Sequence, residues 1–208
     1  MEILENYKER AKARSKAYDL KPRPLNVEEV EAFFDMLTGG NKKELEGNYK
    51  FLGETYKLSD FLLDRIKNEI PRGTFPASYA KAKALYNIIT GETSSDYISD
   101  KEALDILIDM NGGAAVPELI KLVENDVFKK EVLEALKDTV LVNKVEFKKL
   151  AKLSESDDQV LELIKSWGEK EFAKNWDIND SYNGVSIKTG DYISTGHLSP
   201  SKNADSRT

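Results

Sequence analysis

The 208-residue sequence contains no cysteine and only one histidine. The absence of cysteine excludes disulfide bonds, thiolate ligands for iron–sulfur clusters and cysteine nucleophiles within this chain. A single imidazole, that of His197, cannot build a multi-histidine zinc site. Any Ser-His-Asp triad would also have to use His197.

Long apolar segments are missing as well. No run of about 18 apolar residues occurs, which excludes a membrane-spanning helix. The first 19 residues mix both charge signs and lack an apolar core, so we expect no secretory signal peptide. Hydrophobic residues make up 40% and charged residues 33%, a composition typical of soluble globular proteins. The net charge of −6 disfavours non-specific binding to nucleic acid. We therefore expect a cytoplasmic protein.

Up to about residue 177 the sequence is typical of helices joined by short polar turns. Apolar residues recur at helical spacing, and capping boxes are predicted at Asn26, Ser99 and Ser156, with a further cap at Asn125. Gly112 is expected to end one helix in the left-handed conformation. Helices are predicted over residues 2–17, 58–70 and 76–89, and another opens at Asn26 and is ended by Gly39-Gly40. A further helix runs between the Ser99 cap and Gly112, and four more carry the apolar residues within 116–123, 128–140, 145–153 and 160–167.

Helices of this length with short connections favour antiparallel neighbours, and no strict repeat is present. We therefore predict an all-α, HEAT-like stack of antiparallel helix pairs over residues 1–173. From Ser181 the pattern changes, because residues 184–188 alternate and carry β-branched side chains, as in a strand. One strand cannot stand alone, so residues 174–208 are predicted to begin a second, β-containing domain.

The helical part offers no constellation of catalytic groups. Its carboxylates fall at helix caps and on solvated faces. Trp167, Phe172 and Trp176 form either a ligand-stacking set or a packed helix end. The N-terminal helix is locally basic, with Arg10 and Arg14 among its cations, and either contacts phosphates or is simply solvated.

The C-terminal segment carries more chemistry. Residues 189–200 (TGDYISTGHLSP) bring hydroxyls, the Asp191 carboxylate and the His197 imidazole into a glycine-punctuated turn. Backbone N–H groups and short side chains in such a turn suit a small polar or carboxylate-bearing ligand. Arg207 can bind a carboxylate through two hydrogen bonds.

Eight short motifs follow one another along the chain. They are residues 71–82 (PRGTFPASYAKA), 102–107 (EALDIL), 110–113 (MNGG), 117–120 (PELI), 166–171 (SWGEKE), 189–191 (TGD), 198–200 (LSP) and 206–207 (SR). In this order they resemble the N-terminal part of the bacterial aconitase B family (aconitate hydratase B, also called 2-methylisocitrate dehydratase).

The resemblance implies a HEAT-like first domain, followed by the start of an α/β swivel domain at residues 174–208. It implies a parent lyase that interconverts citrate and isocitrate through cis-aconitate, with a [4Fe–4S] cluster held by later cysteines. Arg207 would bind a substrate carboxylate, with Ser199 and Asp191 in support, and the chain alone would be inactive. The implied partners are the remaining domains, the tricarboxylic acid substrate, a second copy and mRNA.

Two alternatives remain beside the enzyme fragment. The chain could be a freestanding helical adaptor that binds protein, or an RNA-binding regulator that uses its basic first helix. Salt-dependent RNA binding would distinguish the second alternative.

Overall fold

The computed structural model describes residues 2–18, 24–70, 73–139 and 142–169. Over these ranges the fold is mainly helical, which confirms the predicted class. The elements in chain order are α1 (Glu2–Tyr18), α2 (Val27–Gly39), α3 (Lys42–Leu45), β1 (Asn48–Phe51), β2 (Glu54–Lys57), α4 (Leu58–Asn68), α5 (Pro76–Ile89), α6 (Asp100–Asp109), α7 (Val116–Glu124), α8 (Lys129–Leu136), α9 (Lys144–Leu153) and α10 (Asp158–Gly168).

Two capping boxes predicted from the sequence are confirmed. The Asn26 side chain accepts from the Glu29 backbone N–H, and the Glu29 carboxylate accepts in return from the Asn26 N–H. Ser99 and Glu102 form the same reciprocal pair at the start of α6. These bonds satisfy backbone donors that have no partner within the helix.

Two other predicted caps are wrong. The cap of α10 is Asp157 rather than Ser156, and its carboxylate accepts from two backbone N–H groups. Asn125 does not open a helix, because it lies at the C-terminal end of α7. The next helix, α8, begins only at Lys129, after Phe128 in the left-handed conformation.

The end of α6 also differs from the prediction. The left-handed residue is Asn111, with φ 36°, whereas Gly112 and Gly113 do not have positive φ. The two glycines are required by a close approach instead. A Cβ on Gly112 would lie 3.1 Å from the Gly73 nitrogen, and a Cβ on Gly113 would lie 2.9 Å from Thr74 Cγ2. The Ala114 N–H donates to the Gly73 carbonyl at 3.1 Å and holds the two segments together.

A two-stranded antiparallel hairpin, which the sequence analysis did not predict, lies between α3 and α4. Phe51 pairs with Glu54 across a two-residue turn made by Leu52 and Gly53. Both turn residues have positive φ, 48° and 97°, as the twist of a tight hairpin requires. Phe51 is buried and anchors the hairpin to the helices.

The helices pack in successive pairs. Helices α2, α5, α7 and α9 contact one another in that order, while α5 packs on α6, α7 on α8 and α9 on α10. This order of contacts is that of stacked helix pairs, as predicted. The buried side chains form one continuous core that runs from Leu4 in α1 to Leu163 in α10.

Aromatic side chains fill the N-terminal end of this core. The ring of Tyr7 contacts Phe33 edge-on, stacks on Phe51 and contacts Phe61, with centroid separations of 5.5–6.2 Å. Such contacts join α1, α2, the hairpin and α4. No helix within the described ranges is long and apolar enough to cross a membrane.

Candidate functional site

The residues that the sequence analysis assigned to substrate all lie outside the described residues. They are Asp191, Ser199 and Arg207, and His197 belongs with them. The predicted strand at 184–188 falls in the same segment. The structure therefore neither brings these side chains together nor separates them.

Within the described ranges, no group of three or more histidine, aspartate or glutamate side chains is arranged to hold a metal ion. Many carboxylates instead cap helices or pair with lysines. Glu102 is an example, because hydrogen bonds from the Ser99 backbone and hydroxyl hold the pKa of its carboxyl below the usual value. These bonds favour the charged form of Glu102, which serves as part of the cap of α6.

Trp167 belongs to a packed helix end. Its indole Nε1 donates to the Leu136 carbonyl at 2.9 Å, and its ring centroid lies 6.4 Å from that of Phe147. For Trp167 this favours packing over ligand stacking. The other two members of the proposed set, Phe172 and Trp176, lie outside the described residues.

The basic character of α1 is partly neutralised by local ion pairs. Arg10 binds both oxygens of Glu29 on α2, at 2.7 and 2.6 Å. Lys8 lies 3.8 Å from Glu5, and Lys12 lies 3.7 Å from Glu9 on the same helix. These contacts make α1 a packing element with a solvated face.

Three polar side chains next to the aromatic cluster join α1 to the end of α4 through hydrogen bonds. The Tyr7 hydroxyl and the Arg65 guanidinium both donate to the Glu69 carboxylate. Arg65 also lies over the ring of Phe61, 5.1 Å from its centroid. Burial raises the pKa of Tyr7 well above its ordinary value, and the bond to Glu69 raises it further. The phenol therefore stays protonated and acts as a donor.

A cleft of about 580 Å³ lies between the end of α4, α5 and α6. Its floor is apolar, and its walls carry both charge signs. The charged lining residues are Lys67, Lys81, Glu102, Asp105 and Asp109. Walls of mixed charge give a surface that can bind polar groups.

Two aromatic side chains at the start of α5 are exposed to solvent. Phe75 is 57% and Tyr79 is 44% exposed, and the two lie one helical turn apart. They directly follow the segment that packs on Gly112 and Gly113, so a tight backbone contact supports this surface. Exposed aromatic groups on a rigid support are typical of protein contacts. The i, i+4 spacing of Phe75 and Tyr79 was visible in the sequence, but it also suits a buried face.

Over the described ranges the protein is thus a stacked-helix domain with exposed aromatic side chains and a cleft of mixed charge. Comparison with known proteins is more specific. A family model described as the aconitate B N-terminal domain matches residues 6–173. The chain belongs to this family.

Individual relatives align with nearly the whole length of this chain. It is 27% identical to aconitate hydratase B of Pseudomonas aeruginosa over 206 residues, which cover 99% of this chain and 22% of that protein. The corresponding protein of Helicobacter pylori is 29% identical over 210 residues, covering 100% and 23%. That of Escherichia coli is 25% identical over 206 residues, covering 99% and 22%. The chain therefore spans less than a quarter of the length of these relatives.

Proposed function

We propose that this chain is the N-terminal region of an aconitate hydratase B, a lyase that interconverts citrate and isocitrate by dehydration and rehydration through cis-aconitate. The observation that carries the proposal is the match of residues 6–173 to the aconitate B N-terminal domain, together with relatives that align over 99–100% of the chain. The parent enzyme would be cytoplasmic, serve the tricarboxylic acid cycle and also accept 2-methylisocitrate.

The catalytic cofactor of such an enzyme, a [4Fe–4S] cluster, does not fit the residues of this chain. Cluster ligation in this class uses cysteine thiolates, and the sequence contains no cysteine. The cluster would have to be held by another part of the parent polypeptide. The 208-residue chain alone is therefore expected to have no aconitase activity.

Substrate binding is proposed for three residues near the end of the chain. Arg207 would bind a substrate carboxylate through two parallel hydrogen bonds, the geometry that a guanidinium favours. Ser199 and Asp191 would support the loop that presents Arg207. This assignment depends on the resemblance of residues 189–207 to the family.

The helical domain would serve in packing against the later domains and in self-association. The exposed Phe75 and Tyr79, supported by the Gly112–Gly113 contact, favour a docking role of this kind. Its proposed boundary with the swivel domain follows residue 173, and the family match to residues 6–173 supports this choice. The docking surfaces equally suit the alternative of a freestanding protein-binding adaptor.

Binding of mRNA is the weaker candidate. Of the basic residues on α1, Arg10 is committed to Glu29, and Lys8 and Lys12 have carboxylate neighbours. The net charge of −6 also opposes a dominant phosphate contact. RNA binding by this chain would have to be steeply salt-dependent and weakened by Arg14→Glu.

The decisive experiment is to sequence the reading frame beyond codon 208 and to express the complete protein. A frame that continues into a swivel domain and a later cysteine set, with a product that forms cis-aconitate from citrate, supports the proposal. A stop codon directly after Thr208 would overturn it and favour the adaptor.

The role of Arg207 is tested in that complete protein. Arg207→Lys keeps the charge but loses the two-point geometry, so we expect KM for citrate to rise. Lys43→Gln, on an exposed site of α3, is the matched control and should leave KM unchanged. An unaltered KM in Arg207→Lys would remove Arg207 from the substrate site.

A further inference from the structure

One face of α9 combines positive charge with an aromatic ring. Lys144, Phe147, Lys148 and Ala151 are spaced at i, i+3, i+4 and i+7, so they form one stripe along the helix. The opposite side of α9, which carries Leu150, is buried against the rest of the domain. We refer to the four residues, together with Trp167 of α10, as the α9 stripe.

The α9 stripe is open to solvent and its charges are uncompensated locally. Phe147 is 42% exposed, and both Lys144 and Lys148 are exposed. Among the described residues, neither lysine forms an ion pair. Trp167 is the member of the α9 stripe that lies on α10, and its hydrogen bond to the Leu136 carbonyl fixes the ring in place. The surface is thus a fixed aromatic platform flanked by two ammonium groups.

A surface of this kind complements a segment that carries both carboxylates and aromatic rings. Such a segment occurs directly after α10, at residues 171–182 (EFAKNWDINDSY). It contains three carboxylates against one ammonium, and its aromatic residues are Phe172, Trp176 and Tyr182. Helix α10 ends at Gly168. Its end lies beside the α9 stripe, because its penultimate residue is Trp167.

We propose that the α9 stripe binds residues 171–182 of this same chain. The seven residues that follow Glu169, up to Trp176, span up to about 25 Å when extended, so Trp176 can reach Phe147, which lies next to the end of α10. The carboxylates of Glu171, Asp177 or Asp180 pair with Lys144 and Lys148, while Trp176 packs on the aromatic platform. This contact sets the direction in which the chain leaves the helical domain, and it does not depend on the proposed enzymatic function.

The test uses Trp176 as a reporter in the full chain. The sequence has two tryptophans, so Trp167→Phe leaves Trp176 as the single fluorophore. We expect its emission to be blue-shifted and protected from acrylamide quenching. Adding Lys144→Glu and Lys148→Glu should abolish most of this protection, whereas Lys43→Glu on the exposed face of α3 should not. Added salt should weaken the protection, because it screens exposed ion pairs.

A second measurement leaves the platform intact. The otherwise unmodified chain is labelled with 5-fluorotryptophan, and the ¹⁹F resonance of Trp176 is assigned by its loss in Trp176→Phe. Reversal of Lys144 and Lys148 should shift this resonance towards that of the free amino acid, while circular dichroism shows that the fold is kept. A Trp176 that is as accessible as free tryptophan, or one that is protected and unaffected by the reversal, would overturn the proposal.

Discussion

Arg10 and Glu29 form an ion pair that joins α1 to α2, in which Nη2 of Arg10 donates to both carboxylate oxygens at 2.7 and 2.6 Å. The Glu29 carboxylate also accepts a hydrogen bond from the Asn26 backbone N–H in the capping box of α2. The Glu29 side chain is almost fully buried, at 7% exposure, while the Arg10 side chain is 33% exposed. One carboxylate therefore stabilises both a helix start and a contact between helices.

This double use predicts unequal effects of removing the two partners. Glu29→Ala loses the ion pair and the bond from the Asn26 N–H, which is one of the two bonds of the capping box, and should lower the free energy of unfolding by about 2–4 kcal/mol. Arg10→Ala leaves the cap in place, so we expect a smaller loss of about 1–2 kcal/mol. Urea unfolding of both variants and of the double variant measures the coupling. Equal losses would mean that the cap contributes nothing to stability.

The close approach of Gly112 and Gly113 to residues 73–74 predicts a steric effect of single methyl groups. Gly112→Ala meets backbone atoms of Gly73 and should cost about 1–3 kcal/mol. Gly113→Ala meets only Thr74 Cγ2, so Thr74→Ser, which lacks that methyl group, should restore part of its stability. Thermal unfolding of the three variants tests this order.

The matched control for these substitutions is Gly39→Ala. Gly39 is the last residue of α2, its φ is not positive, and a Cβ there has no neighbour within 4 Å. We expect Tm to stay the same or rise slightly, since alanine favours the helix by about 0.5–1 kcal/mol. A loss at Gly39 as large as that at Gly112 would show that chain stiffness, and not close contact, is responsible.

The parts of the fold that could be predicted from the sequence are those set by local chemistry. The reciprocal caps at Asn26 and Ser99 need only residues three positions apart, and Pro76 begins α5 as its fixed φ allows. Apolar spacing then indicated which helix faces are buried, as at Leu107.

The α10 cap and the hairpin were not predicted correctly, because both depend on contacts between residues that are far apart in sequence. Ser156 and Asp157 are both good capping residues, but only Asp157 also pairs with Lys129, at 2.6 Å, and a pattern of nearest neighbours does not contain that contact. The hairpin has a Leu52-Gly53 turn instead of a common Asn-Gly turn, and its strands have only four residues each. It depends on the burial of Phe51 against Tyr7 and Phe61, which are far away in sequence.

The cleft between α4, α5 and α6 could not be predicted from the sequence, because Lys67, Lys81 and Asp109 lie on three different elements. The substrate role of Asp191, Ser199 and Arg207 stays a prediction, since all three lie outside the described residues.

The Lys129–Asp157 pair predicts a pH dependence of stability. The ammonium group of Lys129 holds the pKa of the Asp157 carboxyl below its usual 3.8. A depressed pKa in the folded state adds stability above the unfolded pKa, and this stability is lost as the pH falls through the folded pKa. Asp157→Asn should keep the cap, because asparagine is an equally good capping residue, while it loses the ion pair.

The wild type should therefore exceed Asp157→Asn in stability near neutral pH, and the gap should close between about pH 5 and pH 2. Both side chains are partly exposed, each at 22%, and water screens the pair, so we expect the gap to be below about 1 kcal/mol. Chemical unfolding at several pH values measures it. A gap that widens at low pH would contradict the assignment of the ion pair.

Leu107 tests whether α6 presents the predicted face to its neighbour α5. The side chain is fully buried, and α6 has Leu104 and Ala103 buried on the same side. Leu107→Ala should cost about 2–5 kcal/mol through lost burial and a cavity.

Leu107→Asp also places an unpaired carboxylate in the core, a cost comparable to the whole stability of an ordinary domain, so we expect an unfolded chain by circular dichroism. Asp105→Asn, on the exposed side of the same helix, loses only its contact with Lys101 at 3.3 Å and should change stability by less than about 1 kcal/mol. A Leu107→Asp chain that melts at the wild-type temperature would mean that α6 turns a different face towards α5.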